Sequence, residues 1–208
     1  MENNNGLHYA TYQDCIRFHG HSCPGLAIGY RAATAAMDRL QVTRPEDEEL
    51  VVLCETDACG VDAIQVISGA TAGKGNLVVQ DFGKNVFTFY NRKNGNAVRV
   101  YVKTREMMED EEFSHLRTRV FGGIANESEM KEFYRKMETT TRNVLYAPVN
   151  TLLDLKDVEI NSPKPARIFA SIICECCGES VADAKTRIVN EKRICIPCAE
   201  RDSPLNAS

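Results

Sequence analysis

The chain has 208 residues, 43% of them hydrophobic and 26% charged, with a formal net charge of −4. That length suits one large domain, or a domain with a small module attached, and the acidic balance supplies no global cationic field for nucleic acid. Met1-Glu2-Asn3-Asn4-Asn5 is polar with no apolar export segment behind it, and no run approaches the roughly 18 apolar residues of a membrane span, so a cytoplasmic protein with no membrane partner is expected.

Residues 9–18 read as a short helix leading into the polar turn Gly20-His21-Ser22. A second helix follows Cys23-Pro24, with Leu26, Tyr30, Ala33, Met37 and Leu40 on one face and Pro24 at a first position where its missing N–H costs nothing. After the charged loop Glu46–Glu49, the apolar run Leu50–Cys54 predicts a buried strand. Val61–Ile67 predicts a helix bounded by Gly60 and Gly69. Leu77–Phe82, Val86–Tyr90 and Val98–Val102 predict three strands, the last two joined by a hairpin at Asn94-Gly95. Met107–Glu112 is polar, helical or looped, and most simply a solvated acidic helix start. Met130, Phe133, Met137 and Val144 then mark an amphipathic helix over about 128–145. Strands in the middle and helices at both ends give the α+β class, with a mainly antiparallel sheet. The linker Asn161-Ser162-Pro163-Lys164-Pro165 divides a domain at 1–165 from a module at 166–208.

Nine cysteines in a reducing compartment point to metal binding or catalysis. Cys174-x2-Cys177 and Cys195-x2-Cys198 have the spacing of a four-thiolate zinc site, each tight turn supplying two adjacent corners of a tetrahedron. The surrounding segment is too short to bury a core, so the metal supplies its folding energy, on the order of 10–16 kcal/mol for isolated structural zinc modules. Disulfide pairing is the alternative, and spacing and compartment both weigh against it. Cys176 is a spare ligand candidate in a less favourable C-x-C register with Cys174, while Cys15 and Cys54 read as packing residues. Within the module, Lys185, Arg187, Lys192, Arg193 and Arg201 are nearly cancelled by six acidic residues, and no aromatic is interleaved for base stacking. A structural or protein-contact role is expected there in preference to nucleic-acid binding.

Phe18-His19-Gly20-His21-Ser22-Cys23-Pro24-Gly25 concentrates half of the chain's four histidines beside a cysteine. In an extended segment His19, His21 and Cys23 would share a face. Cys23 precedes a helix, where backbone N–H groups and the dipole favour a thiolate. Cys59, in Thr56-Asp57-Ala58-Cys59-Gly60-Val61-Asp62-Ala63-Ile64-Gln65, also stands at a helix start after a buried strand. Imidazole and thiolate together suit zinc or another borderline-soft ion, and so small a ligand count leaves an open position. The residues alone leave this metal or cofactor pocket level with a reading in which His21 caps a turn and both thiols merely pack. Asp62 and Gln65, one and two turns beyond Cys59, either face the same cleft or are ordinary solvated positions. Gly69-Ala70-Thr71-Ala72-Gly73-Lys74-Gly75-Asn76 fails the phosphate-loop pattern by one residue, although Lys74 and its glycines could cradle a small anion if they are more than a turn.

Four ordered motifs across residues 14–105 resemble the FmdE-like family, the E component of formylmethanofuran dehydrogenase: Phe18–Gly25, Asp57–Gln65, Gly73-Lys74-Gly75-Asn76-Leu77 and Asp81-Phe82-Gly83-Lys84. The C-terminal module is similar to DksA/TraR-type fingers of the treble-clef or ribbon type. The resemblance implies a cytoplasmic α+β protein, an intertwined homodimer and a C-terminal zinc finger. The family takes its name from a molybdenum- or tungsten-dependent complex of methanogens that interconverts carbon dioxide plus methanofuran and formylmethanofuran, so a larger enzyme complex is a further expected partner. The resemblance favours His21, Cys23 and Cys59 as the reactive pocket, with His21 and Cys59 as metal ligands and His19, Asp62, Gln65 and Lys74 as cofactor-binding residues. Structural zinc at Cys174, Cys177, Cys195 and Cys198 and a second metal or cofactor in the N-terminal pocket are thus expected. The leading function is metal or cofactor handling in one-carbon metabolism, in an accessory role to an oxidoreductase. Its alternatives are a metal-dependent enzyme using an open coordination position, possessing no obvious general base, and a zinc-finger regulator.

Overall fold

A computed structural model of the chain describes residues 9–103, 111–165 and 167–201. The chain divides into two compact units, Met1–Pro165 and Ala166–Ser208.

In the first unit, helix α1 (Tyr12–His19) opens on a capping box. The Thr11 side chain accepts the Asp14 N–H, and the Asp14 carboxylate accepts the Thr11 N–H at 2.7 Å. It closes at Gly20, whose left-handed φ of 99° costs a glycine nothing. Helix α2 (Pro24–Leu40) starts from Cys23, whose sulfur accepts the Leu26 N–H at 3.4 Å. Its glycines and alanines allow a close approach to helix α3 (Gly60–Ser68). A Cβ placed on Gly29 would stand only 2.0 Å from the Gly60 carbonyl oxygen.

Strand β1 (Leu50–Cys54), α3 and strand β2 (Leu77–Val79) form a β-α-β unit in which Val52 lies opposite Leu77 in parallel pairing. Strands β3 (Val86–Asn91), β4 (Ala97–Val102) and β5 (Leu153–Val158) complete a five-stranded sheet ordered β2-β1-β3-β4-β5. Every pairing other than β1 with β2 is antiparallel. One register line runs from Cys54 through Phe87 and Val100 to Leu155. Val52, Cys54, Phe87, Phe89, Val98 and Val100 meet Leu26, Ala33 and Met37 of α2 and Ile64 and Ile67 of α3 in a single core. Each fully buried side chain of this size contributes roughly 1.5–3 kcal/mol. The expected α+β class with a mainly antiparallel sheet is the observed one.

Helices α4 (Glu111–Phe121) and α5 (Glu127–Tyr146) follow, with Phe113 and Leu116 packed against Phe133. Of the acidic segment expected at Met107–Glu112, positions 107–110 lie outside the described residues, and Glu111 and Glu112 belong to α4. A single turn, α6 (Val149–Leu152), leads into β5. Arg31 of α2 donates to the carbonyls of Val144, Leu145 and Ala147 at 2.8, 2.6 and 2.8 Å, which ties α2 to the end of α5.

The second unit consists of two hairpins and a helix. Strands β6 (Ser171–Ile173) and β7 (Ser180–Ala182) pair, as do β8 (Thr186–Val189) and β9 (Lys192–Cys195), and α7 (Ile196–Arg201) follows at once. Its centre is Ile194 with Cys174, Cys195 and Cys198, flanked by Val181, Val189 and Ala199. That is too little aliphatic surface to sustain a fold without help.

Candidate functional site

The end of α1, the Gly20 turn and the start of α2 bring together one group of donor atoms. His19, His21 and Cys23 each offer a ligand atom, and these atoms lie within 4.8 Å of one another. His19 Nε2 is 3.9 Å from Cys23 Sγ, and the His19 and His21 rings lie 4.5 Å apart at their centroids. The sharing does not arise from an extended segment, as the i, i+2, i+4 spacing suggested. His19 is the last residue of a helix, and the left-handed turn at Gly20 folds His21 and Cys23 back beside it. Tyr12 braces this turn, with its hydroxyl 3.0 Å from Ser22 Oγ and donating to the Cys23 carbonyl at 3.3 Å. Tyr12 had no motif to mark it in the sequence.

Asp62 anchors the arrangement from α3. Its Oδ2 lies 2.7 Å from His19 Nδ1, and its Oδ1 accepts from the Gln65 side chain at 3.3 Å. A carboxylate that accepts from Nδ1–H leaves the Nε2 lone pair aimed at Cys23, which is how metal-ligating histidines are ordinarily oriented. The His19 side chain is only 11% exposed, Cys23 is buried and His21 is exposed, so the group has a protected floor and an open side. Asp62 and Gln65 therefore belong to the same cluster as the histidine–cysteine motif.

Cys59 stands at the N-cap of α3 and makes no side-chain capping bond. A Cβ on Gly25 would sit 3.8 Å from the Cys59 sulfur and 3.9 Å from that of Cys23, so the two thiols flank the same glycine in the first turn of α2. Cys59 is not one of the three mutually close donors, yet it borders them through Cys23. Burial pushes the Cys23 thiol above its ordinary value, and the nearby Cys59 sulfur pushes the same way against the Leu26 N–H. The thiolate expected from the helix start is thus outweighed by desolvation, and a bound cation is what would bring the proton off.

Lys74 is the one expected site residue that lies elsewhere. Its ammonium donates to the Asp47 carbonyl at 3.2 Å, and its N–H donates to Thr71 Oγ1 at 3.2 Å. It follows the C-terminal end of α3, whereas Cys59 and Asp62 sit at the N-terminal end, roughly 13 Å away along nine residues of helix. The glycine-rich segment is a turn pinned by Asn76, which accepts the Thr71 N–H at 2.9 Å and donates to Leu50 O at 2.9 Å.

In the second unit, Cys174, Cys177, Cys195 and Cys198 form a second group of donors within 4.8 Å of one another among the described residues. Sulfurs 2.3 Å from a shared zinc at tetrahedral corners stand about 3.8 Å apart, and Cys177 and Cys195 are separated by 3.9 Å. Backbone N–H groups of Cys177 and Cys195 pull the Cys174 thiol down to about 6, and the Cys195 N–H donates to its sulfur at 3.2 Å. Four thiols at this spacing fit a structural zinc ion. Cys176 is exposed and outside the group.

Residues 18–154 match the family model described as FmdE, molybdenum formylmethanofuran dehydrogenase operon. The chain belongs to the FmdE family. Residues 167–204 match the prokaryotic dksA/traR C4-type zinc finger, so the four-cysteine group is the zinc site of that module. A crystal structure of a tungsten formylmethanofuran dehydrogenase FmdE-like protein from Syntrophus aciditrophicus superposes with a TM-score of 0.58 at 24% identity, covering 93% of this chain and 94% of that one. It shows that the FmdE fold is shared. A probable S-adenosyl-L-methionine-binding protein of Archaeoglobus fulgidus is 30% identical over 192 residues, which is 88% of this chain. The chain spans 50% of that relative's length. His19, His21, Cys23, Cys59, Asp62 and Gln65 all fall within the FmdE match. Among the described residues, no helix is long and apolar enough to cross a membrane.

Proposed function

We propose that the FmdE unit of this chain holds a metal ion through His19, His21 and Cys23, with Cys59 beside them, and presents it to a small molecule of one-carbon metabolism. The observation that carries this reading is the mutual closeness of the three donors together with the Asp62 carboxylate behind His19. Two imidazoles and a thiolate form a borderline-soft set, and three protein ligands leave a position for a substrate or cofactor atom. The ion would act there as a Lewis acid. The chain's own residues orient the ligand set, as Asp62 holds the His19 tautomer and Tyr12 holds the turn. The family's association with formylmethanofuran dehydrogenase supports an accessory role in a molybdenum- or tungsten-dependent system, and the Archaeoglobus relative's name supports small-molecule binding.

A second reading, a metal-dependent enzyme acting on its own, draws on Cys59. In that reading the helix-start thiol, which makes no capping bond and lies beside Cys23, serves as a fourth ligand or as a nucleophile toward a bound substrate. Homodimerisation and docking into a larger complex belong to the same proposal. They are supported by the apolar surface that α4 and α5 leave open at Phe121, Ile124 and Tyr134, which are 78%, 64% and 52% exposed.

Elemental analysis of the full-length protein tests the centre. Two ions per chain are expected, falling to one in His21→Ala and in Cys23→Ser while the finger's ion remains. A wild-type ratio of one, unchanged by either substitution, would remove the proposal.

A further inference from the structure

A cleft of about 390 Å³ runs between α1 and α3, beside the histidine–cysteine group and separate from it. Asp14, Arg17 and Phe18 line it from α1, Gln65 and Val66 from α3, and Arg44 and Thr71 from the segments that follow α2 and α3. Gln65 connects it to the ligand set, since its amide donates to the carboxylate that holds His19. The volume lies in the range of small-molecule sites.

The charge in this cleft is unevenly committed. Arg17 is paired with Asp14 at 2.7 Å, so the two cancel. Arg44 has no hydrogen-bond or ion-pair partner among the described residues. Its side chain passes over Gly69, the left-handed residue that ends α3 at φ 73°, where a Cβ would stand 2.9 Å from Arg44 Nε. Any other residue at 69 would both strain the turn and displace this arginine. A guanidinium with no carboxylate partner offers a planar fork of donors matched to a carboxylate or a phosphate. Thr71 Oγ1 accepts the Lys74 N–H and keeps its own proton to donate. Phe18, which is 59% exposed, and the half-buried Val66 add apolar surface to the lining.

We propose that this cleft binds a small organic oxyanion, its carboxylate or phosphate held by Arg44 and the Thr71 hydroxyl and its apolar, planar body lying on Phe18 and Val66. The opposite end of such a molecule lies toward Gln65, Asp62 and His19. What happens at that end rests on the metal-centre reading, whereas the binding itself does not.

Nuclear magnetic resonance titration of the full-length, isotope-labelled protein tests the cleft, with phenyl phosphate and benzoate as probes and benzyl alcohol as their neutral counterpart. At least one of the two anions should shift the Gln65, Val66 and Thr71 amide resonances saturably, and benzyl alcohol should not. The tighter anion tells whether the natural ligand is a phosphate ester or a carboxylate. Arg44→Gln should weaken binding about tenfold or more, equivalent to about 1.4 kcal/mol. Equal affinity in that variant, equal binding of benzyl alcohol, or no saturable shift with either anion would overturn the assignment. Metal content measured on the same samples separates the two proposals. Two ions per chain without anion binding rejects the cleft alone, and anion binding with only the finger's ion present rejects the metal centre alone.

Discussion

Asp62 touches no metal donor except through His19, yet it decides which ring nitrogen of His19 faces the group. Exchanging its carboxylate for an amide at the same size removes the charge and weakens acceptance from Nδ1–H. Asp62→Asn should therefore lower the metal affinity of the proposed N-terminal centre by about 10–100-fold, as loss of a histidine's carboxylate partner generally does. Competition against a chromophoric chelator measures it, and an unchanged affinity would show that His19 is not a ligand. His19, His21 and Cys23 were legible in the sequence because they are neighbours, and a dense motif survives a wrong guess about local geometry. Asp62 was legible only as a helical position, since its contact with His19 spans 43 residues. Lys74 was misplaced for a related reason. A glycine-rich run resembles an anion cradle, whereas the side chain of Asn76, which makes the run a turn, draws its partner from β1.

At the level of elements, the second unit shows most directly what holds a fold together. Two hairpins and a six-residue helix enclose Ile194 and three buried cysteines. Removing the ion leaves four thiols crowded within 4.8 Å and almost no aliphatic contact to replace it. A strong chelator should abolish amide protection across β6–β9 while that of β3 and β4 persists, as read by hydrogen exchange with mass spectrometry. Persistent protection of β8 and β9 in the metal-free protein would mean that the hairpins stand without zinc. The zinc module was foreseeable from cysteine spacing, whereas its two hairpins went unread. In the first unit, α2, β1, β3, β4 and α5 follow from periodicity, whereas β5 went unread. Leu153 and Leu155 do alternate with Asp154 and Lys156, but charges at 154, 156 and 157, the last two exposed, give an edge strand the composition of a loop. The parallel pairing of β1 with β2 had no local signal, because it depends on the path of α3 between them.

The molecule as a whole carries two thiols sealed inside its first unit. Burial pushes Cys15 and Cys54 from the ordinary thiol value of 9.0 up to about 12. An unfolded chain loses these protons near 9.0, and the folded chain holds them to about 12. The stability from keeping both thiols neutral is thus complete below pH 9.0 and declines as the pH rises toward 12. Urea midpoints followed by circular dichroism should fall across that window, and less steeply in a Cys15→Ala, Cys54→Val variant. Equal slopes in the two proteins would assign the alkaline loss to other groups, such as Tyr9, which burial also raises. The two-part organisation was readable from the proline-flanked linker. The arrangement of the first unit around its main core was not, because it depends on contacts such as Arg31 with the end of α5, 113 residues away.

Gly29 and Gly60 leave helices α2 and α3 touching main chain to main chain, with no side chain between them to yield. Neither rod can slide or roll without collision, and the N-cap residues of the two, Cys23 and Cys59, carry neighbouring sulfurs. The spacing between the Cys23 and Cys59 sulfurs is consequently a property of the scaffold. If the proposed centre holds an ion, selection among ions would fall to radius and bond angle, since this side of the frame has no slack to meet a misfit.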